Sequence, residues 1–305
     1  MNAPRSLLVG LLGQGVGPSL TPEMHEREAA RQHLRYVYKI VELDDSGTDI
    51  EHLRQLLAYA GELGFDGLNI THPIKQTMVS LVDEVSPEVA AIGALNTVLL
   101  RGGRTYGHNT DVTGFTRAFR EGMSGAELGS VVLLGAGGAG TAVAHALLAL
   151  GARNLIVFDP DPARSTALRS SVRRTGGDVV VTPIGVEELA GVMATADGLV
   201  NATPVGMAAH PGSPLSDDLL RQELWVVDIV YRPVLTDLLR HARARGCRVL
   251  SGTGMAAHQA ADAFELITGS VADRAAMIRD LDELVAGDVA ATSTKTPEHI
   301  QERNR

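Results

Sequence analysis

Residues 130–149 read SVVLLGAGGAGTAVAHALLA. An apolar run, Val131–Leu134, enters a glycine turn, and an uninterrupted helix-like stretch follows. Gly135, Gly137 and Gly140 fit the Gly-x-Gly-x-x-Gly spacing of a dinucleotide turn, with Gly138 and Ala139 inside it. The first glycine permits the tight turn, the second lets backbone approach a pyrophosphate, and the third lets helix and strand pack closely. The free amides and dipole of the helix that follows favour the anion. Asp159 sits at the end of the next strand, where a carboxylate can accept hydrogen bonds from ribose hydroxyls. It would repel a 2′-phosphate, so the predicted cofactor is NAD. The stretch FDPDPAR offers one cation, Arg164, which either meets the adenine end or faces solvent. Asp159 as a plain helix N-cap is the alternative.

Working outward, the pattern repeats. Strands are predicted at 131–134, 154–158, 178–182, 198–201, 225–229 and 247–250, with helices at 139–150, 162–174, 186–194 and 235–244. Alternation of this kind means a parallel sheet with right-handed crossovers. Upstream, strands are expected at 7–12, 36–43 and 67–70, helices at 22–34, 50–63, 75–82, 87–92 and 113–121, and a hairpin at 97–108 around Gly102-Gly103. Thr21 is expected to cap the helix that Pro22 opens. The last helices should run from 256 to about 284, ahead of a polar, aperiodic tail at 288–305 that reads as disordered.

The chain has 305 residues, enough for two domains, with 45% hydrophobic and 21% charged residues. A net charge of −9 argues against nucleic-acid binding. A single cysteine, Cys247, excludes an intrachain disulfide, and ten histidines without HxxxH or HExxH spacing give no metal site. Residues 130–152 lack Asp, Glu, Lys and Arg, but five glycines break the run, so a strand, turn and helix account for it better than a membrane span. The N-terminal SLLVGLL is short and no clean cleavage site follows it. The protein is therefore read as cytoplasmic.

A second glycine turn complicates the picture. Residues 11–18, LLGQGVGP, also leave an apolar run, and Glu42 and Asp44 follow the next strand. Pro18 stands where the third glycine belongs, and its ring and missing N–H suit phosphate contact poorly. Polar clusters punctuate the same half: Asn69, Thr71 and Lys75 in LNITHPIKQ, Asn96 in IGALNT, and Asn109, Thr110 and Asp111 in GHNTDVTGF. Oxidising an alcohol needs a group to take the hydroxyl proton as hydride leaves. A Lys75/Asp111 pair would serve, the carboxylate steadying the ammonium. The plainer reading makes Thr110 or Asp111 a helix cap and Lys75 a solvated surface residue.

The ordered blocks SLTPEMHE, NITHPIK, IGALNT, GHNTDVTGF, GAGGAG, NATPVGM, VVDIVYRPVLTDLL and GTGMAAHQAADAFELITG, spread over residues 7–269, resemble the shikimate dehydrogenase family. The resemblance implies an α/β fold with an N-terminal α/β substrate domain (1–110, completed by C-terminal helices at 252–285), a Rossmann domain (111–251), and an active site in the cleft between them. It implies reversible oxidation of a ring hydroxyl, of shikimate to 3-dehydroshikimate or of quinate to 3-dehydroquinate. By position, Lys75 and Asp111 match the catalytic pair. Ser19 and Thr21 match the carboxylate ligands, and Thr71, Asn96 and Gln259 the ring-hydroxyl ligands. Thr203, Pro204 and Met207 match the cofactor wall, and Ile229, Tyr231, Gly252 and Met255 the nicotinamide end. For Met255 plain core packing is the alternative. Biosynthetic members usually carry Ser-x-Ser at the carboxylate site and Asn-Arg-(Thr/Ser) for the NADP phosphate. Ser19-Leu20-Thr21 and Asp159-Pro160 depart from both, and look like the NAD-dependent quinate/shikimate branch. The alternatives are an NADP(H)-dependent biosynthetic shikimate dehydrogenase, an enzyme of aminoquinate or aminoshikimate, and a dinucleotide-binding module without chemistry. The expected state is a monomer or homodimer.

Overall fold

The computed structural model describes residues 6–174 and 180–293. In chain order the elements of the first half are β1 (Ser6–Gly13), α1 (Thr21–Arg31), β2 (Arg35–Glu42), α2 (Ile50–Glu62), β3 (Gly67–Ile70), β4 (Glu84–Val85), α3 (Pro87–Ile92), β5 (Thr97–Arg101) and β6 (Arg104–His108). The second half holds α4 (Asp111–Gly122), β7 (Ser130–Leu134), α5 (Gly138–Ala149), β8 (Asn154–Phe158), α6 (Pro162–Arg174), β9 (Val180–Pro183), α7 (Val186–Met193), β10 (Gly198–Asn201), β11 (Trp225–Asp228), α8 (Asp237–Ala244) and β12 (Arg248–Leu250). The chain then forms α9 (Thr253–Thr268) and α10 (Arg274–Ser293). No helix among the described residues is long and apolar enough to cross a membrane.

Two six-stranded sheets result. The second runs β9-β8-β7-β10-β11-β12, all parallel. That is the doubly wound order of a Rossmann fold, and its strand order reverses between β7 and β10, where ligands of such sheets bind. Both faces are covered, so its strands read as continuous apolar runs rather than alternating ones. Val131, Leu133 and Val157 face one core with Phe115 and Trp225, while Val132, Leu134 and Ile156 face another with Leu199 and Leu238.

The first sheet, β2-β1-β3-β5-β6-β4, is mixed. Strands β1, β2 and β3 pair in parallel, while β5 runs antiparallel to β3 and β6. The hairpin β5–β6 reverses the direction, and its turn at Gly102-Gly103 has both residues at positive φ. The C-terminal helices return to this half: Ala257, Ala260, Ala261 and Phe264 of α9 share a core with Met24 and Ala29 of α1 and Met277 and Leu281 of α10.

Several local expectations change. The helix expected at 75–82 is a turn followed by a single 3-10 stretch, Thr77–Ser80. Thr21 does not cap α1; the cap position is Leu20 and no side chain bonds there, which leaves the Thr21 hydroxyl free for another role. The helix α10 continues to Ser293, past the expected start of the tail at 288. Residues 294–305 lie outside the described residues.

Candidate active site

Lys75 and Asp111 meet where the two halves join. Lys75 follows β3 and Asp111 opens α4, yet Lys75 Nζ donates to Asp111 Oδ2 at 2.6 Å, with side chains only 15% and 7% exposed. Asp111 is not a cap, and neither is Thr110, which stands at the cap position without a side-chain bond to the helix. The second Asp111 oxygen accepts from Asn96 Nδ2 at 2.9 Å. Asn96 is locked in turn: its Oδ1 accepts from the Thr110 N–H at 2.8 Å and from the Thr97 hydroxyl at 3.1 Å. A buried amide held on both sides in this way has one orientation.

Gln259 reaches the same point from α9, its Oε1 3.4 Å from Asn96 Nδ2. Gly114 makes that approach possible. A Cβ built there would lie 2.9 Å from the Gln259 N and the Met255 O, so only glycine lets α4 and α9 touch at this level. Thr71 is half-buried on the turn after β3 and its N–H bonds the Leu12 carbonyl at 3.0 Å.

The two glycine turns differ in what occupies their amides. In the first, the Glu42 carboxylate accepts from the N–H of Gly15 and, at 2.8 Å, of Gly17. An internal carboxylate thus fills the place a phosphate would need, and Glu42 is a brace rather than a ribose ligand. In the second, Gly140 lies against Gly135: a Cβ on Gly140 would sit 2.1 Å from the Gly135 O, whereas one on Gly137 meets nothing within 4 Å. No side chain caps α5, so the amides of its first turn are available to an anion. Gly135 and Gly140 shape the turn, and Gly137, Gly138 and Ala139 present its half-exposed rim. These residues fit the diphosphate of a dinucleotide. A Cβ on Gly138 would lie 3.5 Å from the Lys75 side chain, so the turn and the Lys75–Asp111 pair face each other across one cleft.

Asp159 is 7% exposed. Its Oδ2 accepts from the Ala136 N–H at 2.8 Å and its Oδ1 from the Asp161 N–H at 2.9 Å. It is therefore not the cap of α6; Asp161 takes that part, accepting from the Ala163 N–H at 3.0 Å. Asp159 clamps the glycine turn to the next loop and keeps a second lone pair on each oxygen. The Arg164 side chain is 61% exposed and lies 3.6 Å from Asp161. Burial lowers the pKa of His72, and the charges of Arg164 and Lys75 lower it further.

The cofactor-wall residues divide. Thr203 is fixed by Asn201, whose Oδ1 accepts from its N–H at 3.1 Å and its hydroxyl at 2.7 Å. Pro204 and Met207 are exposed beside it. Ile229 is half-buried, with Gly252 packed directly beneath its carbonyl. Met255 and Tyr231 are held by neighbours of their own. Met255, 8% exposed, packs in the core with Phe115 and Ala118. Tyr231 packs with Leu20 and Tyr36, and its hydroxyl meets the Ser19 side chain and the Leu20 backbone, so it stands at the corner of Ser19 and Thr21. There the Thr21 N–H also bonds Ser19 Oγ at 3.3 Å. Among the described residues no group of three His, Cys, Asp or Glu is placed to hold a metal.

Sequence reasoning passed over Glu42 as a brace and over two buried polar residues, Asn201 and Asp228. Their signal was present: each ends an otherwise apolar strand, GLVN and WVVD.

Residues 11–98 match the family model of the shikimate dehydrogenase substrate binding domain, and residues 252–281 that of the shikimate 5′-dehydrogenase C-terminal domain. The chain is 52% identical over 285 residues to a Streptomyces avermitilis protein named shikimate dehydrogenase (NADP(+)), covering 93% of this chain and 98% of the other. It is 48% identical over 265 residues to a Corynebacterium glutamicum protein named quinate/shikimate dehydrogenase (NAD(+)), covering 87% and 94%. The structure of quinate dehydrogenase from Corynebacterium glutamicum in complex with NAD superposes with a TM-score of 0.85 at 46% identity, covering 91% of this chain and 99% of that one. The ordered motifs, the two-sheet architecture and matches across nearly the whole length agree: the chain belongs to the shikimate dehydrogenase family.

Proposed function

We propose that this shikimate/quinate dehydrogenase oxidises quinate, shikimate or both with NAD⁺ rather than NADP⁺. The observation that carries the cofactor choice is the buried Asp159 carboxylate bonded to the Ala136 N–H beside the glycine turn. Its remaining lone pairs suit ribose hydroxyls, and its charge opposes a 2′-phosphate. The second reading, an NADP(H)-dependent shikimate dehydrogenase, draws on the Streptomyces avermitilis relative's name and on the exposed Arg164. Gly135–Gly140, Thr203, Pro204, Met207 and Ile229 would hold the cofactor.

In this reading the substrate carboxylate docks on Ser19 and Thr21, with Tyr231 beside Ser19. Thr71, Asn96, Asp111 and Gln259 bond the ring hydroxyls and fix which one points at the nicotinamide. The bound dinucleotide supplies the hydride acceptor. Lys75, 2.6 Å from Asp111, takes the hydroxyl proton as the C–H bond breaks, and Asp111 steadies the charge that results. Asn96 holds Asp111 so that its other oxygen stays on Lys75. The substrate domain is the first sheet with α9 and α10.

The test is a steady-state matrix of quinate and shikimate, each with NAD⁺ and NADP⁺, run on the parent and on Thr21→Ser. A higher kcat/KM with NAD⁺ supports the reading, and a higher value with NADP⁺ overturns the cofactor choice. Thr21→Ser is expected to change the quinate-to-shikimate ratio, because its methyl group bounds the space beside the substrate carboxylate.

A further inference from the structure

We propose that Asp228 is a positioning residue that sets the protein wall at the nicotinamide end of the cleft. The inference rests on the dehydrogenase reading above. Asp228 is the last residue of β11 and is fully buried. Its carboxylate gathers three donors, two from the loop that follows it and one from the end of β10. Oδ1 accepts from the Val230 N–H and from Asn201 Nδ2, both at 3.0 Å, and Oδ2 accepts from the Thr236 hydroxyl at 2.7 Å. Asn201, its register partner at the end of β10, extends the network. Besides holding Thr203, it donates to the Val205 carbonyl at 3.0 Å, and the Val205 N–H returns to the Thr203 hydroxyl at 3.2 Å.

One carboxylate therefore ties the loop after β10, which carries Thr203, Pro204 and Met207, to the loop after β11, which carries Ile229 and Tyr231. The second loop also spans the cleft. The Tyr231 hydroxyl meets Ser19, and the Arg232 guanidinium donates to the Pro18 carbonyl. Both loops lie at the carboxyl ends of their strands, and the first borders the reversal between β7 and β10 where ligands of such sheets bind. Burial pushes the Asp228 pKa up to about 6 against three hydrogen bonds that pull it down, and an apolar residue in its place would leave three buried donors without an acceptor. What the carboxylate supplies is a fixed relation between two loops, and hydride transfer depends on distance to a fraction of an ångström.

The test compares Asp228→Ala, Asp228→Asn and Thr236→Val with the parent, using substrate deuterated at the oxidised carbon. Activities are expressed per bound NADH, counted by fluorescence titration. Asp228→Ala is expected to lower kcat about 100-fold and to raise the deuterium isotope effect on kcat, because a misplaced reacting pair makes hydride transfer limiting. NADH affinity should stay within about threefold, because the glycine turn is untouched. Asp228→Asn keeps acceptors for Val230 and Asn201 and should recover most of the turnover, while Thr236→Val should fall between. A merely structural role would lower thermal stability and the count of NADH sites, but leave kcat per site and the isotope effect at parental values. That result in Asp228→Ala overturns the inference. Should that variant not fold, the same result in Thr236→Val overturns it. A parent without turnover on either acid and either cofactor removes the dehydrogenase reading and the inference with it; an active parent beside an unaffected variant removes the inference alone.

Discussion

Acid is expected to destabilise this fold through His25. The imidazole lies fully buried beneath α1, ringed by Tyr36, Tyr38 and Phe264. Its Nδ1 is 2.9 Å from the Tyr36 hydroxyl, and its Nε2 has no hydrogen-bond partner among the described residues. Protonation would place an unsatisfied N–H and a charge among aromatic rings, and burial lowers the pKa from 6.5 to about 3. The unfolded chain takes up this proton near pH 6.5, and the folded chain only near pH 3. The stability tied to neutral His25 is therefore fully present above pH 6.5 and lost as pH falls from there towards 3. At pH 5 the loss is about 2 kcal/mol, from roughly 1.5 pH units at about 1.4 kcal/mol each. Urea melts at pH 7.5 and pH 5 measure it, with His25→Asn as the reference. That variant keeps a group near Nδ1 for Tyr36 but does not titrate. It should be the less stable protein at pH 7.5, yet lose about 2 kcal/mol less than the parent on going to pH 5. The other titrating groups, including Asp228 with its opposite sign, are common to both proteins and cancel in the comparison. Equal losses in parent and variant would refute the argument.

Three further outcomes follow from the cleft. Lys75→Ala should lower turnover by roughly 10²–10⁴-fold while NADH still binds; near-parental turnover would remove its role in proton transfer. Gly140→Ala forces a methyl group to 2.1 Å from the Gly135 carbonyl, so the turn must open, and calorimetry should show dinucleotide affinity reduced at least about tenfold. Glu42→Ala frees the amides of Gly15 and Gly17. It should raise the KM for the substrate acid several-fold through the loop that carries Ser19, with cofactor affinity unchanged, and circular dichroism should report an intact fold.

The α/β class, the doubly wound second half and the glycine turn were legible because their signals are local. Strand runs, the glycine spacing 135–140 and the acid at 159 follow one another in a single βαβ unit. The helix read at 75–82 failed for a related reason: apolar spacing there serves core contacts of Ile74 and Met78, not a helical face. Lys75, Asn96 and Asp111 were legible as polar clusters, while Gln259 came only with the family resemblance, which gave all four their roles.

What the sequence determined by itself was a Rossmann half with a dinucleotide-type glycine turn at Gly135–Gly140, joined to a polar-clustered half of another kind. Only the tertiary structure decided which groups meet. It filled the look-alike turn at 13–17 with the Glu42 carboxylate, turned Asp159 onto the glycine loop, set Tyr231 beside Ser19, packed Met255 in the core and closed Asp228 onto Asn201 and Thr236. Each of these contacts joins residues whose approach depends on sheet register or helix packing, and a buried polar group takes the partner that the fold delivers. Periodicity records which face of an element is apolar. It carries no record of which distant donor will come to lie against that face.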